Sequence, residues 1–271
     1  MSGVFRRIVV GSHGEGPDPE LRSAALQVAA DDANIDSFHV AAEGHRRRET
    51  LDGLLGKVVE THADLLVIGG RSHLMAARAA MMSSCSILMV PDNTELKIGR
   101  VMVPVDFSGH AREALLVARD IVRQHRGDIE IVCAFVESED APWHSIRDEG
   151  VEHALKLAAV HDFVREVLGA VDGVRCLAEP LDRSGARLGA GLSLPHTIEG
   201  ADIASTIEIV AEREKADLIV LGTRGRTASA AILLGSVTEK VMQFAQRPVL
   251  AVKRRGANLG ILDFLVSTTH G

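Results

Sequence analysis

Four apolar residues, Leu218-Ile219-Val220-Leu221, run directly into Gly222-Thr223-Arg224-Gly225, and after nine more residues Gly235-Ser236-Val237-Thr238 opens a segment with helical spacing. A strand with no polar position is buried on both faces, which is the condition of a parallel sheet covered by helices. Gly222 then falls at the C-terminal end of that strand, where open α/β sheets place their ligands. Gly225 has access to backbone angles closed to other residues and leaves no Cβ between chain and ligand. From Val237 to Gln246 the apolar positions Val237, Val241, Phe244 and Ala245 fit one face of a helix. The free N–H groups of its first turn, with the Ser236 hydroxyl, suit an anion, and the helix dipole adds about 0.3–1 kcal/mol per favourable charge. Glycines that merely mark a turn and a cap would give part of this pattern. The combination of strand, loop and helix start favours a phosphate cradle, and hence a nucleotide as the first ligand to consider.

The rest of the second half alternates in the same way. Strands are expected at 101–105, 129–136, 173–178, 217–222 and 248–253, with helices at about 109–125, 146–168, 201–214 and 236–246. Strands alternating with helices argue for a parallel sheet covered on both faces, joined by right-handed crossovers.

The run Gly-x2-Gly-x9-Gly-Ser resembles the ATP-binding signature of the universal stress protein family. Arg100-Val101-Met102-Val103-Pro104-Val105-Asp106-Phe107-Ser108 resembles that family's first strand, and Arg247-Pro248-Val249-Leu250-Ala251-Val252-Lys253 its last. The resemblance implies an open parallel-sheet α/β fold of the adenine nucleotide alpha hydrolase-like type, with ATP bound by residues 98–255. It implies a site made of Pro104, Val105, Asp106, Phe135, Gly222, Arg224, Gly225, Gly235, Ser236, Val237 and Thr238. Asp106 would reach the ribose or a metal ion, and Phe135 would lie near the adenine, a position for which plain core packing is an equal alternative. A magnesium or manganese ion bridging Asp106 and the phosphates is compatible with this set, while no dedicated metal site is expected.

The chain repeats itself. Arg7-Ile8-Val9-Val10-Gly11-Ser12-His13 matches the strand at Arg100 to Asp106, and Ala63-Asp64-Leu65-Leu66-Val67-Ile68-Gly69-Gly70-Arg71 matches Ala216 to Arg224. Two tandem copies are therefore expected, over 1–97 and 98–255, followed by a tail from 256 to 271 that carries Ile261-Leu262-Asp263-Phe264-Leu265-Val266. The first copy is reduced. Ile8 to Asp64 spans 56 positions against 116 from Val101 to Asp217, a loss of about one helix and one strand. Gly69 to Ile87 spans 18 against 27 from Gly222 to Val249, which removes the phosphate loop, puts His73 opposite Gly235, and leaves His13 where Asp106 stands. The first copy is expected to keep the sheet without the nucleotide site. The short apolar strands Ile87–Val90 and Val249–Val252 would pair within one chain, as single-domain relatives of this family pair between chains. Whether two such chains associate further is open.

Composition narrows the function. Residues 1–98 carry 10 basic and 13 acidic side chains and the rest carry 20 and 24, so no nucleic-acid surface is implied. Arg46-Arg47-Arg48, the only basic cluster, reads as a solvated loop before a helix. Cys85, Cys133 and Cys176 lie in or beside apolar segments and read as buried thiols in a reducing cytoplasm. No segment has the length of a membrane span. The inserted stretch Leu181 to Thr197, rich in glycine, leaves the same edge of the sheet as the phosphate loop and is either a lid carrying Arg183, Arg187 or His196, or a plain surface loop. No Gly-x4-Gly-Lys-Ser/Thr loop, His-Glu-x2-His helix or Gly-x-Ser-x-Gly elbow occurs, and no residue stands out as a base against a γ-phosphate. The expectation is a cytoplasmic, nucleotide-binding stress-response regulator with an unknown protein partner and no catalytic residue. A slow ATPase or phosphate-transferring enzyme using the same pocket, and a nucleotide-free interaction protein, are the alternatives.

Overall fold

The computed structural model describes residues 4–13, 18–40, 47–69, 73–125, 129–136, 149–169, 173–179, 187–188, 192–193, 201–225 and 234–253. In chain order these form β1 (Phe5–His13), α1 (Pro19–Val28), β2 (Ala29–Val40), α2 (Arg47–Glu60), β3 (Leu65–Gly69), α3 (His73–Met82) and β4 (Ser86–Val90). There follow β5 (Arg100–Pro104), α4 (Gly109–Gln124), β6 (Glu130–Val136), α5 (Glu149–Leu168), β7 (Val174–Glu179), β8 (Arg187–Leu188), β9 (Leu192–Ser193), α6 (Ala201–Arg213), β10 (Leu218–Gly222), α7 (Ser236–Phe244) and β11 (Val249–Val252).

Nine strands form one sheet in the order β2-β1-β3-β4-β11-β10-β5-β6-β7. All its pairings are parallel except that of β4 with β11, where Met89 faces Val249, Leu88 faces Leu250 and Ile87 faces Ala251. All six of these residues are fully buried. Each of these strands would be a liability as an open edge, and pairing covers both. Outward from this seam, β4-β3-β1-β2 is mirrored by β11-β10-β5-β6, while β7 and α5 have no counterpart among the described residues before 98.

The repeated Ala-Asp dipeptide has the same structural task on both sides. Two residues past α2 stands His62 (φ 48°) and two past α6 stands Lys215 (φ 54°), both left-handed. Ala63 N–H returns to the Val58 carbonyl and Ala216 N–H to that of Ala211, closing matching helix ends. The Asp64 carboxylate then accepts the Arg6 and Arg7 N–H groups at 3.0–3.1 Å, and Asp217 accepts those of Gly99 and Arg100 at 2.8 Å. Each aspartate thus satisfies the first donors of the neighbouring strand and sets where that strand begins.

A hydrophobic core lies on each face of the sheet. α1, α4 and α5 cover one face and α2, α3, α6 and α7 the other. Along β4 and β11, Leu88, Leu250 and Val252 point into the first core and Ile87, Met89, Val249 and Ala251 into the second, so both cores run across the seam. Burying each such side chain contributes about 1.5–3 kcal/mol. Polar ties reinforce the seam: the Gln124 amide donates to the Ala29 carbonyl, and His125 Nε2 to that of Gln27 at 2.6 Å.

Some expectations change. α2 starts at Arg47, so Arg47 and Arg48 lie in the helix rather than in a loop before it, and Arg46 is outside the described residues. α7 stops at Phe244, two residues early, because Ala245 turns extended (φ −58°, ψ 135°) ahead of Arg247-Pro248, where a helix is disfavoured. In the insertion 181–197, β8 and β9 pair as an antiparallel ribbon, and the rest lies outside the described residues, as does the tail from 254. The three cysteines are free and buried.

Candidate functional site

From β5 the chain moves outward to β6 and β7 and later returns to lay β10 on the other side of β5. The crevice beyond the C-terminal ends of β5 and β10 is therefore a switch point of the sheet, where such folds bind ligands. Pro104 ends β5 there, and Val105 is buried with its N–H on the Ala134 carbonyl at 2.9 Å. Phe107 is left-handed (φ 64°), a strained state for a bulky residue. This turn lets the Asp106 carboxylate accept Ser108 N–H at 3.0 Å and Ser108 Oγ accept Ala111 N–H at 3.1 Å, capping α4. The Phe107 ring packs 5.1 Å from Phe135 and edge-on at 5.6 Å to Phe163. Phe135 is buried in this cluster.

The three glycines differ in what requires them. A Cβ on Gly222 would lie 2.6–2.7 Å from the Cβ, carbonyl carbon and oxygen of His110, so the first turn of α4 sits directly against the end of β10. A Cβ on Gly225 would lie 2.9 Å from Asp106 Oδ2. Gly225 is not left-handed, so the unusual backbone angles expected of it are not its reason; close approach of the carboxylate is. At Gly235 (φ −73°, ψ 147°) a Cβ would make only ordinary contacts, 3.5 Å from Arg224 Cα and Gly225 N. Packing among the described residues therefore does not demand a glycine at 235.

Three bonds close the base of the loop. Thr223 N–H donates to the Val252 carbonyl at 3.1 Å, Gly235 N–H to that of Thr223 at 2.7 Å, and the Thr238 hydroxyl to that of Gly222 at 2.8 Å. The Gly235 N–H and the Thr238 hydroxyl are thus used within the chain. Helical bonding in α7 begins with Glu239 N–H on the Gly235 carbonyl at 2.9 Å, and Gly235 offers no side-chain cap. Among the described residues the N–H groups of Ser236, Val237 and Thr238 have no partner. Asp106, Gly222, Arg224, Gly225, Gly235 and the start of α7 are brought to one strand edge, and Phe135 lies in the core beneath it. Residues 226–233 are outside the described set.

Lys253, which no sequence signal singled out as functional, completes this edge. Its N–H donates to Ser86 Oγ at 3.2 Å and its ammonium to the Ser83 carbonyl. Burial brings its pKa down to about 8, opposed by Cys85 and helped by the Arg224 charge. Burial pushes the neighbouring Cys85 thiol up to about 11. His110 and Phe107 were missed too; their roles arise from contacts made only in the folded chain.

The sequence model of the universal stress protein family matches residues 97–253. The chain belongs to that family. A universal stress protein of Methanocaldococcus jannaschii is 32% identical over 168 residues, covering 60% of this chain and 86% of that protein. One from Thermus aquaticus is 31% identical over 153 residues, 56% of this chain and 97% of that protein. The crystal structure of a universal stress protein from Archaeoglobus fulgidus aligns over 94% of this chain and 98% of its own, with a TM-score of 0.54 at 16% identity. The likeness of fold therefore extends beyond the residues that the family model matches.

This universal stress protein has a second switch point, between β1 and β3. There Ser12 is buried and hydrogen-bonded to His39 Nδ1 at 2.7 Å. His73 opens α3 and donates from Nδ1 to the Gln243 carbonyl at 2.9 Å, so the start of α3 is tied to the end of α7. The side chain of His13 and residues 70–72 are outside the described set. Among the described residues no helix is long and apolar enough to cross a membrane, and no group of three His, Cys, Asp or Glu is placed to hold a metal ion.

Proposed function

We propose that this universal stress protein binds an adenine nucleotide, ATP first among them, in the β5–β10 crevice, and acts as a cytoplasmic stress-response regulator rather than through turnover. The observation that carries this reading is the first turn of α7, whose three N–H donors have no partner among the described residues, beside a glycine that none of those residues crowds. Such donors at a helix start suit phosphate oxygens. In this reading Ser236, Val237 and Thr238 hold the phosphates and Gly235 leaves them uncovered. Arg224 adds positive charge, and Gly222 and Gly225 let α4 and Asp106 close in. Asp106 takes the ribose, or a magnesium or manganese ion accompanying the phosphates. Pro104 and Val105 form the strand-end wall, and Phe135, with Phe107 packed on it, backs the adenine. Residues 98–255 are the nucleotide-binding unit; residues 1–97 are a reduced second copy that pairs with it through β4 and β11 and offers a surface to a protein partner.

The test is calorimetric titration of the nucleotide-stripped chain with Mg-ATP beside Gly235→Asp, which puts a side chain and a negative charge at the helix start. One site per chain at a roughly micromolar constant, about −8 kcal/mol, lost in the variant, is the expected result. No binding by the folded wild-type chain defeats the proposal.

A further inference from the structure

Lys253 follows β11, yet both of its polar groups are held by the other side of the seam. Its N–H is on Ser86 Oγ at the start of β4, and its ammonium is on the carbonyl of Ser83, one residue past α3. A cation there meets the unpaired carbonyls and negative dipole end of α3. The bond from Thr223 N–H to the Val252 carbonyl sets Arg224 at the same strand end. Among the described residues neither Lys253 nor Arg224 has a carboxylate partner. A part-buried ammonium without a carboxylate partner is costly. The groups around it are Arg224 from the end of β10, Ser83 from the end of α3, and Cys85 and Ser86 from the start of β4. A Cys85 thiolate would favour the ammonium, but burial pushes the thiol, hydrogen-bonded with Ser83 Oγ at 3.0 Å, up to about 11, which keeps it largely neutral near pH 8. Lys253 therefore adjoins Arg224, whose Cα lies beside Gly235 at the start of α7, and Asp106 stands against Gly225 as the carboxylate of this edge.

Resting on the crevice as an anion site, we propose that Lys253 links it to α3 and β4: a bound phosphate supplies the counter-charge that the ammonium lacks and tightens its bond to Ser83. Ligand occupancy in one part of the sheet is thereby felt in the other. In the ligand-free protein Lys253 is part-neutral at pH 8, because burial favours the uncharged amine. A nearby anion reverses that preference, so binding takes up a proton.

The whole chain is titrated at pH 8 with Mg-ATP and, separately, with inorganic tripolyphosphate, in two buffers of different ionisation enthalpy. Wild type, Lys253→Arg and Lys253→Met are compared. Wild type is expected to take up about half a proton per anion bound. The arginine variant keeps affinity within about threefold and takes up none, since guanidinium does not release its proton. The methionine variant binds about tenfold more weakly and takes up none. Hydrogen exchange at the Cys85 and Ser86 N–H groups slows on binding in wild type and not in Lys253→Met. Binding of both anions with proton uptake unchanged in the variants overturns the link and leaves the nucleotide proposal standing. Tripolyphosphate binding with Lys253-dependent uptake, but no ATP binding, keeps the link and defeats the nucleotide. Binding of neither anion to the folded chain ends both.

Discussion

The two switch points of this sheet share a backbone plan and differ in what occupies the helix start. Beyond β10 the chain reaches α7 through Gly235, and three N–H groups there have no partner among the described residues. Beyond β3 it reaches α3 through His73, whose imidazole is committed to the last turn of α7. The glycines at the two strand ends differ as well: Gly222 lies against the backbone of His110, whereas Gly69 has only the flexible side chain of Leu21 near it, at 3.4 Å. In the proposed reading, strand, loop and helix make an anion site where the chain leaves the helix start to a ligand. Where a side chain at that point is used to join two helices, the same plan serves assembly.

The contrast can be broken at several points. Gly222→Ala forces a Cβ into the His110 backbone and is expected to lower stability by about 1–3 kcal/mol in urea unfolding, while Gly69→Ala changes it by less than about 0.5 kcal/mol. Equal losses would show that the tight approach of α4 to β10 is not special. Gly235→Ser gives α7 a hydroxyl cap in a backbone conformation that suits it, so stability should rise by a few tenths of a kcal/mol, about 0.3. The same change should weaken Mg-ATP about tenfold by occupying the donors. A gain in both would mean that the ligand does not use the helix start. His73→Ala removes the bond to Gln243 and should lower stability by about 1 kcal/mol with nucleotide affinity within about twofold.

The smallest expected effect is a pH dependence. Lys253 is held near 8, below its ordinary 10.5, so between those values the unfolded chain binds more protons and stability rises with pH. Cys85, held near 11 instead of 9.0, acts in the opposite sense above 9. The rise should therefore be visible between about pH 8 and 9 and flatten in Lys253→Met. An unchanged slope in that variant would remove Lys253 as its source.

Much of this was legible in the sequence, for physical reasons. Strands β5, β10 and β11 are short apolar runs because helices cover both faces, and the spacing of Asp106, Gly222, Gly225 and Gly235 places all four at one edge. β2 was not legible: Asp31, Asp32, Asn34 and Asp36 break any apolar run, and the strand exists through backbone pairing with β1 at the sheet's margin. The close approach at Gly225 was not legible either, since the Asp106 carboxylate that makes it sits far away in the chain. The hydroxyl of Thr238 and the N–H of Gly235 look available in sequence, but folding spends them on carbonyls of β10 and its loop. Lys253 reads as the end of a strand; only the antiparallel seam brings Ser83 to it.

The most direct test compares the two helix starts in one experiment. Amide hydrogen exchange is followed at Ser236, Val237 and Thr238 and at Leu74, Met75 and Ala76, with and without saturating Mg-ATP. Protection confined to the α7 amides is the predicted result. Protection at α3, or none at either helix while ATP is demonstrably bound, would contradict the assignment of the nucleotide to the β5–β10 crevice.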